Sequence, residues 1–312
     1  MYQGRRRHAG LLRQGHAGSG AQTPAFFRLT MGPSIFKAQS KYLEINHLRL
    51  HYLDWGGRTD RALLMLHGFM GHAHAWDGLA AKLRSGYRVI ALDQRGHGKS
   101  QWSEEGAYGL EDHFADIAQI VKRLNLDNLV LIGHSMGGRN ALFFAACLPE
   151  KVQGLIVIDS RPGSNPRSAD ALRQLLRVLP LRAASLDEVV SLIRKHYPGM
   201  SPEICYHLAM HGYRKAKGGK YEPKCDPQMS RKSEKQGYGV KDIWSFLRNV
   251  ICPTLVVRGE NSPFLSRKDA KTMCELMPAA TWTEIPRATH MPEHENPEDC
   301  IRALAAFLNR LP

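Results

Sequence analysis

Short apolar runs punctuate the chain at intervals. Ala62 to Leu66, Tyr87 to Leu92, Leu129 to Ile132, Val152 to Ile158, Thr254 to Val257 and Thr281 to Ile285 are each too short for a buried helix. Their length and flanking residues read as buried strands. Between them lie longer stretches with helical spacing of apolar positions: Ala73 to Leu83, Leu110 to Leu124, Arg139 to Leu148, Ser266 to Met277 and Pro297 to Leu308. Asn296 is placed to cap the last of these. Lys41 to Asp54 alternates apolar and polar residues and reads as a hairpin turning near Asn46. Strands alternating with helices predict an α/β domain with a mostly parallel central sheet flanked by helices.

One segment breaks the alternation. Residues 160–247 carry helical patterns but no convincing buried strand, with a turn at Lys217-Gly218-Gly219-Lys220. The segment reads as an inserted helical lid over the carboxyl ends of the strands, where open α/β sheets place ligands. Residues 41–159 and 248–312 then form the core. Residues 1–40 lack hydrophobic periodicity and are rich in Gly, Arg and Ala, and they read as a disordered or mis-annotated extension. Translation starting at Met31 would account for the first thirty residues. So would a transit peptide, since no acid precedes Glu44. The expected location is cytoplasmic, or an organelle if residues 1–30 are a transit peptide.

Composition changes the picture little. A chain of 312 residues with 43% hydrophobic and 23% charged residues is globular in type. No run approaches the ~20 apolar residues of a membrane span. The six cysteines are scattered without a C-x-x-C pair, so buried free thiols are expected in a reducing compartment. The net charge of +14 raises nucleic acid as a partner. The excess is concentrated before Glu44 and between Arg161 and Lys235, with no aromatic-rich basic motif, so a solvated basic face is the better reading. The basic lid leaves an acidic substrate open. There is no H-E-x-x-H, and His72 and His74 are only two apart, so no metal site is expected.

The chemistry centres on Leu129 to Gly138. The strand runs into Gly133-His134-Ser135-Met136-Gly137, a G-x-S-x-G sequence, and a helix follows at once. A serine on such a sharp strand-to-helix turn stands clear of the sheet. The glycines flank it because side chains there would collide with neighbouring elements. A serine hydroxyl needs a base, and the base needs an acid to orient it. His290 follows the last strand and is the natural base. His134 adjoins Ser135 and must point elsewhere; His67 and His97 are expected to hold loops. The acid is Asp159, at the end of the strand after the nucleophile's, or alternatively Glu260, after a later strand. Both keep the order Ser, acid, His. Asp159 is preferred because its strand lies beside that of Ser135, and the later-strand position three after Gly259 holds Ser262. Backbone N–H groups of Met136 and Phe69 are expected to form the oxyanion hole.

His67-Gly68-Phe69-Met70-Gly71, Asp93 to Ser100 (DQRGHGKS), Gly133 to Gly138 (GHSMGG) and the motif around His290 together resemble the alpha/beta-hydrolase superfamily. The resemblance covers about Lys41 to Leu308 and is nearest to cap-bearing serine carboxylesterases. It implies that Asp93 and Arg95 brace loops. It also implies a cofactor-independent serine hydrolase acting on a small acyl substrate, an ester or thioester, through an acyl-enzyme. The superfamily's dehalogenases and epoxide hydrolases use an aspartate nucleophile, a route that Ser135 excludes. Carbon–carbon bond hydrolysis and a synthase-type lyase on the same triad stay open. A non-catalytic receptor or interaction protein is the alternative of another class, and such proteins typically lose a triad member.

Overall fold

β3 (Ala62–Leu66) and β5 (Leu129–His134) lie side by side at the middle of an eight-stranded sheet, and every residue of both is buried. The computed structural model describes residues 37–57, 60–179, 181–229 and 242–312. β1 (Gln39–Ile45) and β2 (Leu48–Asp54) form the expected hairpin, with Asn46 and His47 at positive φ in the turn. β4 (Arg88–Leu92), β6 (Val152–Ile158), β9 (Thr254–Gly259) and β10 (Ala280–Ile285) complete the sheet in the order β1-β2-β4-β3-β5-β6-β9-β10. β2 pairs antiparallel with β1 and β4; every later pair is parallel. The sheet therefore has covered faces, which explains the continuous apolar runs.

Helices α1 (Asp77–Leu83), α2 (Leu110–Arg123), α3 (Met136–Cys147), α7 (Arg267–Leu276) and α9 (Pro297–Leu308) belong to the sheet domain, as does the single turn α8 (Pro292–Glu295). α3 begins three residues before its expected start. Gly137 and Gly138 look like turn residues, yet they sit in the first turn of the helix. A Cβ on Gly137 would lie 2.1 Å from the carbonyl oxygen of Leu66, so glycine here allows close packing onto β3. The extension expected over residues 1–40 falls mainly outside the described residues. Its last part is structured, since β1 begins at Gln39.

Between β6 and β9 the chain forms α4 (Pro166–Val178), α5 (Leu186–His196) and α6 (Pro202–Gly212). It also forms a two-stranded ribbon, β7 (Tyr213–Lys215) with β8 (Tyr221–Pro223), whose residues are mostly not buried. Three residues per strand, with Arg214 and Lys215 exposed, are too few to show a period. The turn at Gly218 and Gly219 joins them, both at positive φ. Asn165, Ser185 and Ser201 cap α4, α5 and α6 through side-chain oxygens. The segment has its own small apolar cluster, including Leu175, Val189, Ile193, Cys205 and Ala209. It leaves and rejoins the domain at one point, where the N–H of Ile243 donates to the carbonyl of Pro162 at 3.0 Å.

The loop after β4 is held by ion pairs. Asp93 accepts from the Nδ1–H of His51 at 2.7 Å and from the amides of Ala73 and Lys99. Arg95 donates twice to Asp116, from Nε and an Nη, each at 2.7 Å, with both side chains buried. Losing the cation would leave a buried carboxylate uncompensated. Arg95→Met is expected to cost about 3–5 kcal/mol in urea unfolding; a loss under 1 kcal/mol would show that the pair is not what holds this loop.

Candidate active site

Ser135 stands between β5 and α3 at φ 51° and ψ −116°. Positive φ in a non-glycine residue is strained, at a cost of about 1–3 kcal/mol. The surroundings fix it there. Its N–H donates to Ile158 at 3.0 Å, and its carbonyl accepts from the hydroxyl of Ser160 at 2.6 Å and from the N–H of Arg139 at 3.1 Å. A Cβ on Gly133 would meet the carbonyl oxygen of Gly137 at 2.3 Å, so the turn closes only with glycine there.

The structure brings Ser135, His290 and Asp159 together from three separate parts of the sheet. The Ser135 hydroxyl lies 3.0 Å from Nε2 of His290, and the Nδ1–H of His290 donates to Asp159 at 2.7 Å. Asp159, fully buried, also accepts from the hydroxyl of Ser262 at 2.6 Å and from the N–H of Gly259 at 3.1 Å. Glu260 lies elsewhere: it is exposed and accepts from the N–H of Arg287 at 2.8 Å. Burial pushes the Asp159 carboxyl up, while Ser262, Gly259 and the charge of Arg258 pull it down. Burial holds His290 far below its ordinary value, so its ring is neutral near pH 7 and Nε2 is free to accept.

Two residues here were not legible as site residues. Ser262 fills the place of a carboxylate in the commoner pattern, and its Oγ accepts from the amides of Phe264 and Leu265, each at 3.1 Å. Those two donors leave its own proton aimed at Asp159. Phe264 stacks on His290 with ring centroids 3.8 Å apart. A serine and an aromatic in a loop carry no signal in isolation; only the spacing from Gly259 pointed to the serine's position.

The neighbouring histidines are fixed in neutral forms. His67 donates from Nδ1 to the carbonyl of Gly68 at 2.7 Å and accepts at Nε2 from the N–H of Gln94 at 3.0 Å. His97 donates to the carbonyl of Arg95 at 3.0 Å, and His134 donates to the carbonyl of His290 at 2.8 Å. His134 thus points away from the Ser135 hydroxyl.

A cavity of about 110 Å³ opens beside Ser135 and His290. Phe69 lines it, and Met136, the first residue of α3, contributes one of the helix's amides without an intrahelical acceptor. The far wall comes from the inserted segment, through Leu172, Leu175, Leu179, Ile193 and Leu208. No Lys or Arg lines the cavity among the described residues. Three of the segment's basic groups are engaged elsewhere: Arg173 with Asp170, Arg214 with Glu222, and Lys224 with the carbonyl of His211. Glu293 is the one acid in the wall. Burial pushes its carboxyl up to about 8, and its Oε2 has no hydrogen-bond partner among the described residues.

The family model described as alpha/beta hydrolase fold matches residues 61–297. The chain is 27% identical over 271 residues to 2-(acetamidomethylene)succinate hydrolase of Mesorhizobium japonicum, covering 86% of this chain and 95% of that protein. It is 26% identical over 271 residues to the sn-1-specific diacylglycerol lipase ABHD11 of Mus musculus, covering 81% and 82%. The crystal structure of E-2-(acetamidomethylene)succinate hydrolase superposes with a TM-score of 0.78 at 26% identity, covering 87% of this chain and 99% of that one. The chain belongs to the alpha/beta hydrolase fold family, and it is an enzyme, a serine hydrolase.

The buried histidines set an acid limit on stability. Burial lowers His67, His113 and His134, and holds His72, His97 and His294 down to about 3. Below about pH 6.5 the unfolded chain binds protons at these positions that the folded chain does not, so stability falls with falling pH. Each such group removes about 1.4 kcal/mol per pH unit below its unfolded value. Urea midpoints are expected to drop steeply between pH 6.5 and 5, the raised carboxyls of Asp159 and Glu293 offsetting only part of the loss. A level midpoint down to pH 5 would contradict the assignment of these rings as neutral.

Proposed function

We propose that the enzyme cleaves carboxylic esters of apolar acyl groups, with thioesters as the close alternative, through an acyl-enzyme on Ser135. The observation that carries this reading is the hydrogen-bonded series Ser135–His290–Asp159 at the mouth of a mainly apolar cavity. Ser135 attacks the acyl carbon while Nε2 of His290 takes its proton. Asp159 fixes the tautomer and stabilises the imidazolium that forms. The N–H groups of Phe69 and Met136 hold the oxyanion, since backbone donors act without reorganisation. The imidazolium then protonates the leaving alkoxide or thiolate. Water, activated in turn by His290, releases the acid. All of these roles are filled by the chain's own groups.

Residues 160–247 act as the lid that supplies the acyl-binding wall. An acidic substrate is not favoured. A carboxylate entering this cavity would meet no Lys or Arg among the described residues, an uncompensated burial of charge. The relative from Mesorhizobium japonicum is named for a succinate, but no Lys or Arg among the described residues lines this cavity to pair with two carboxylates. The named diacylglycerol lipase is the better guide to the bond cleaved. The free cysteines, Cys205, Cys225, Cys252 and Cys300 buried among them, fit a reducing compartment such as the cytoplasm. No helix of the described residues is long and apolar enough to cross a membrane.

Ser135→Ala should abolish labelling by a fluorophosphonate probe while circular dichroism stays unchanged; full labelling of the variant would end the assignment. Asp159→Asn should lower kcat by about four orders of magnitude, whereas Glu260→Gln should keep most activity. A reversal of that pair would move the acid to Glu260. Across p-nitrophenyl esters and matched thioesters, neutral acyl chains should be turned over faster than chains ending in a carboxylate. Preference for the carboxylate-bearing series would reject the apolar-acyl reading but leave the triad standing.

A further inference from the structure

Away from Ser135, the densest group of ligating side chains lies where the inserted segment meets the sheet domain. His72 and His74 come from the loop after β3, and Asp77 opens α1. His207 and His211 sit four apart on α6, hence on one face of it. The Nδ1 of His74 is 2.8 Å from Oδ2 of Asp77, and Nε2 of His207 is 3.3 Å from the same oxygen. The rings of His74 and His211 stack with centroids 3.7 Å apart. One ligand atom from each of His74, Asp77 and His211 lies within 4.8 Å of the other two. The second oxygen of Asp77 is shielded from solvent and has no hydrogen-bond partner among the described residues.

A hydrogen-bonded clasp would account for the contact between His74 and Asp77. It does not account for a third imidazole stacked on the first, nor for a shielded carboxylate oxygen left over. Two imidazoles and a carboxylate are a donor set for a divalent transition ion, and not for the all-oxygen preference of calcium or magnesium. Ligands each ~2.0–2.2 Å from such an ion stand no more than ~4.4 Å apart. The separations, at most 4.8 Å, therefore have to close, and the stacked rings of His74 and His211 have to turn so that their planes meet at the ion; side-chain rotation supplies both. His207 also fits, as a group that orients the site. Its Nε2–H donates to the carbonyl of His74 at 2.9 Å and faces the Asp77 carboxylate, the kind of support that fixes a metal-ligating carboxylate.

We propose that His74, Asp77 and His211 bind a zinc-type divalent transition ion that joins α6 of the inserted segment to the loop after β3, with His207 positioning the carboxylate. The site contains none of Ser135, His290 or Asp159, so it stands independently of the proposed ester chemistry. Binding displaces the proton on Nδ1 of His74 and replaces its hydrogen bond to Asp77 by two bonds to the ion. One ligand belongs to the inserted segment and two to the sheet domain, so the ion would tether the wall of the acyl cavity.

The test is titration of the full chain, stripped with a chelator, with zinc chloride and separately with magnesium chloride, by calorimetry. The expected result is one zinc per chain, no saturable binding of magnesium, and a raised unfolding temperature with zinc. His74→Ala and His211→Ala should each abolish the binding. His207→Ala should weaken it by about tenfold to a hundredfold. His47→Asn, an exposed change at a distant turn, should bind as the parent does. Circular dichroism checks each variant; if His211→Ala misfolds, His211→Gln carries the same expectation. The proposal is overturned if zinc does not saturate at one equivalent, or if the folded variants at His74 and His211 bind as the parent does.

Discussion

A serine held at positive φ between a buried strand and a tightly packed helix is the constraint on which the rest of this molecule turns. The conformation is unfavourable locally and exists only because the surroundings leave no other. β6 accepts the Ser135 amide, Ser160 holds its carbonyl, and α3 presses onto β3 through Gly137. Each of these contacts requires the order of strands β3, β5 and β6. A sheet slipped by one residue would turn the hydroxyl away from His290 and bury the wrong side chains. The fold and the conformation of Ser135 are thus specified by the same set of close approaches.

Burial then dictates which charges the site can tolerate. Asp159 sits out of water with donors from three directions, and removing any of them raises the cost of its charge. The same dryness keeps His290 neutral, whereas an imidazole exposed to water would be half-protonated near pH 6.5. Ser262 shows how one requirement can be met by different residues. The carboxylate has come from β6, and the later loop, freed from supplying it, supplies a hydroxyl to steady it.

Much of this was legible in the sequence, for physical reasons that can be named. Strands buried on both faces must be apolar throughout, so β3, β5, β6 and β9 stood out. Ser135, His290 and Asp159 each lie at the carboxyl end of a strand or in the loop after one, where chain order alone restricts the choices. What escaped was set by contacts distant in sequence. Gly137 and Gly138 look like turn formers until Leu66 and Ser160 are seen against them. The β7–β8 ribbon is too short to show a period. The basic character of the inserted segment left an acidic substrate open, because net charge says nothing about where side chains point; those of Arg173 and Arg214 point to Asp170 and Glu222. The pairing of His74 with His211 spans more than a hundred residues and leaves no local trace.

The hydrogen bond between Ile243 and Pro162 has an evolutionary consequence. It brings the two ends of the inserted segment together on the sheet domain, so whatever is strung between them meets the same boundary condition. The entropy of closing such a loop grows only with the logarithm of its length. The segment also has an apolar cluster of its own. Such a stretch can be lengthened, shortened or replaced wholesale while Ser135 stays in place. New specificities in such a scaffold are reached by exchanging a module rather than by remodelling a core.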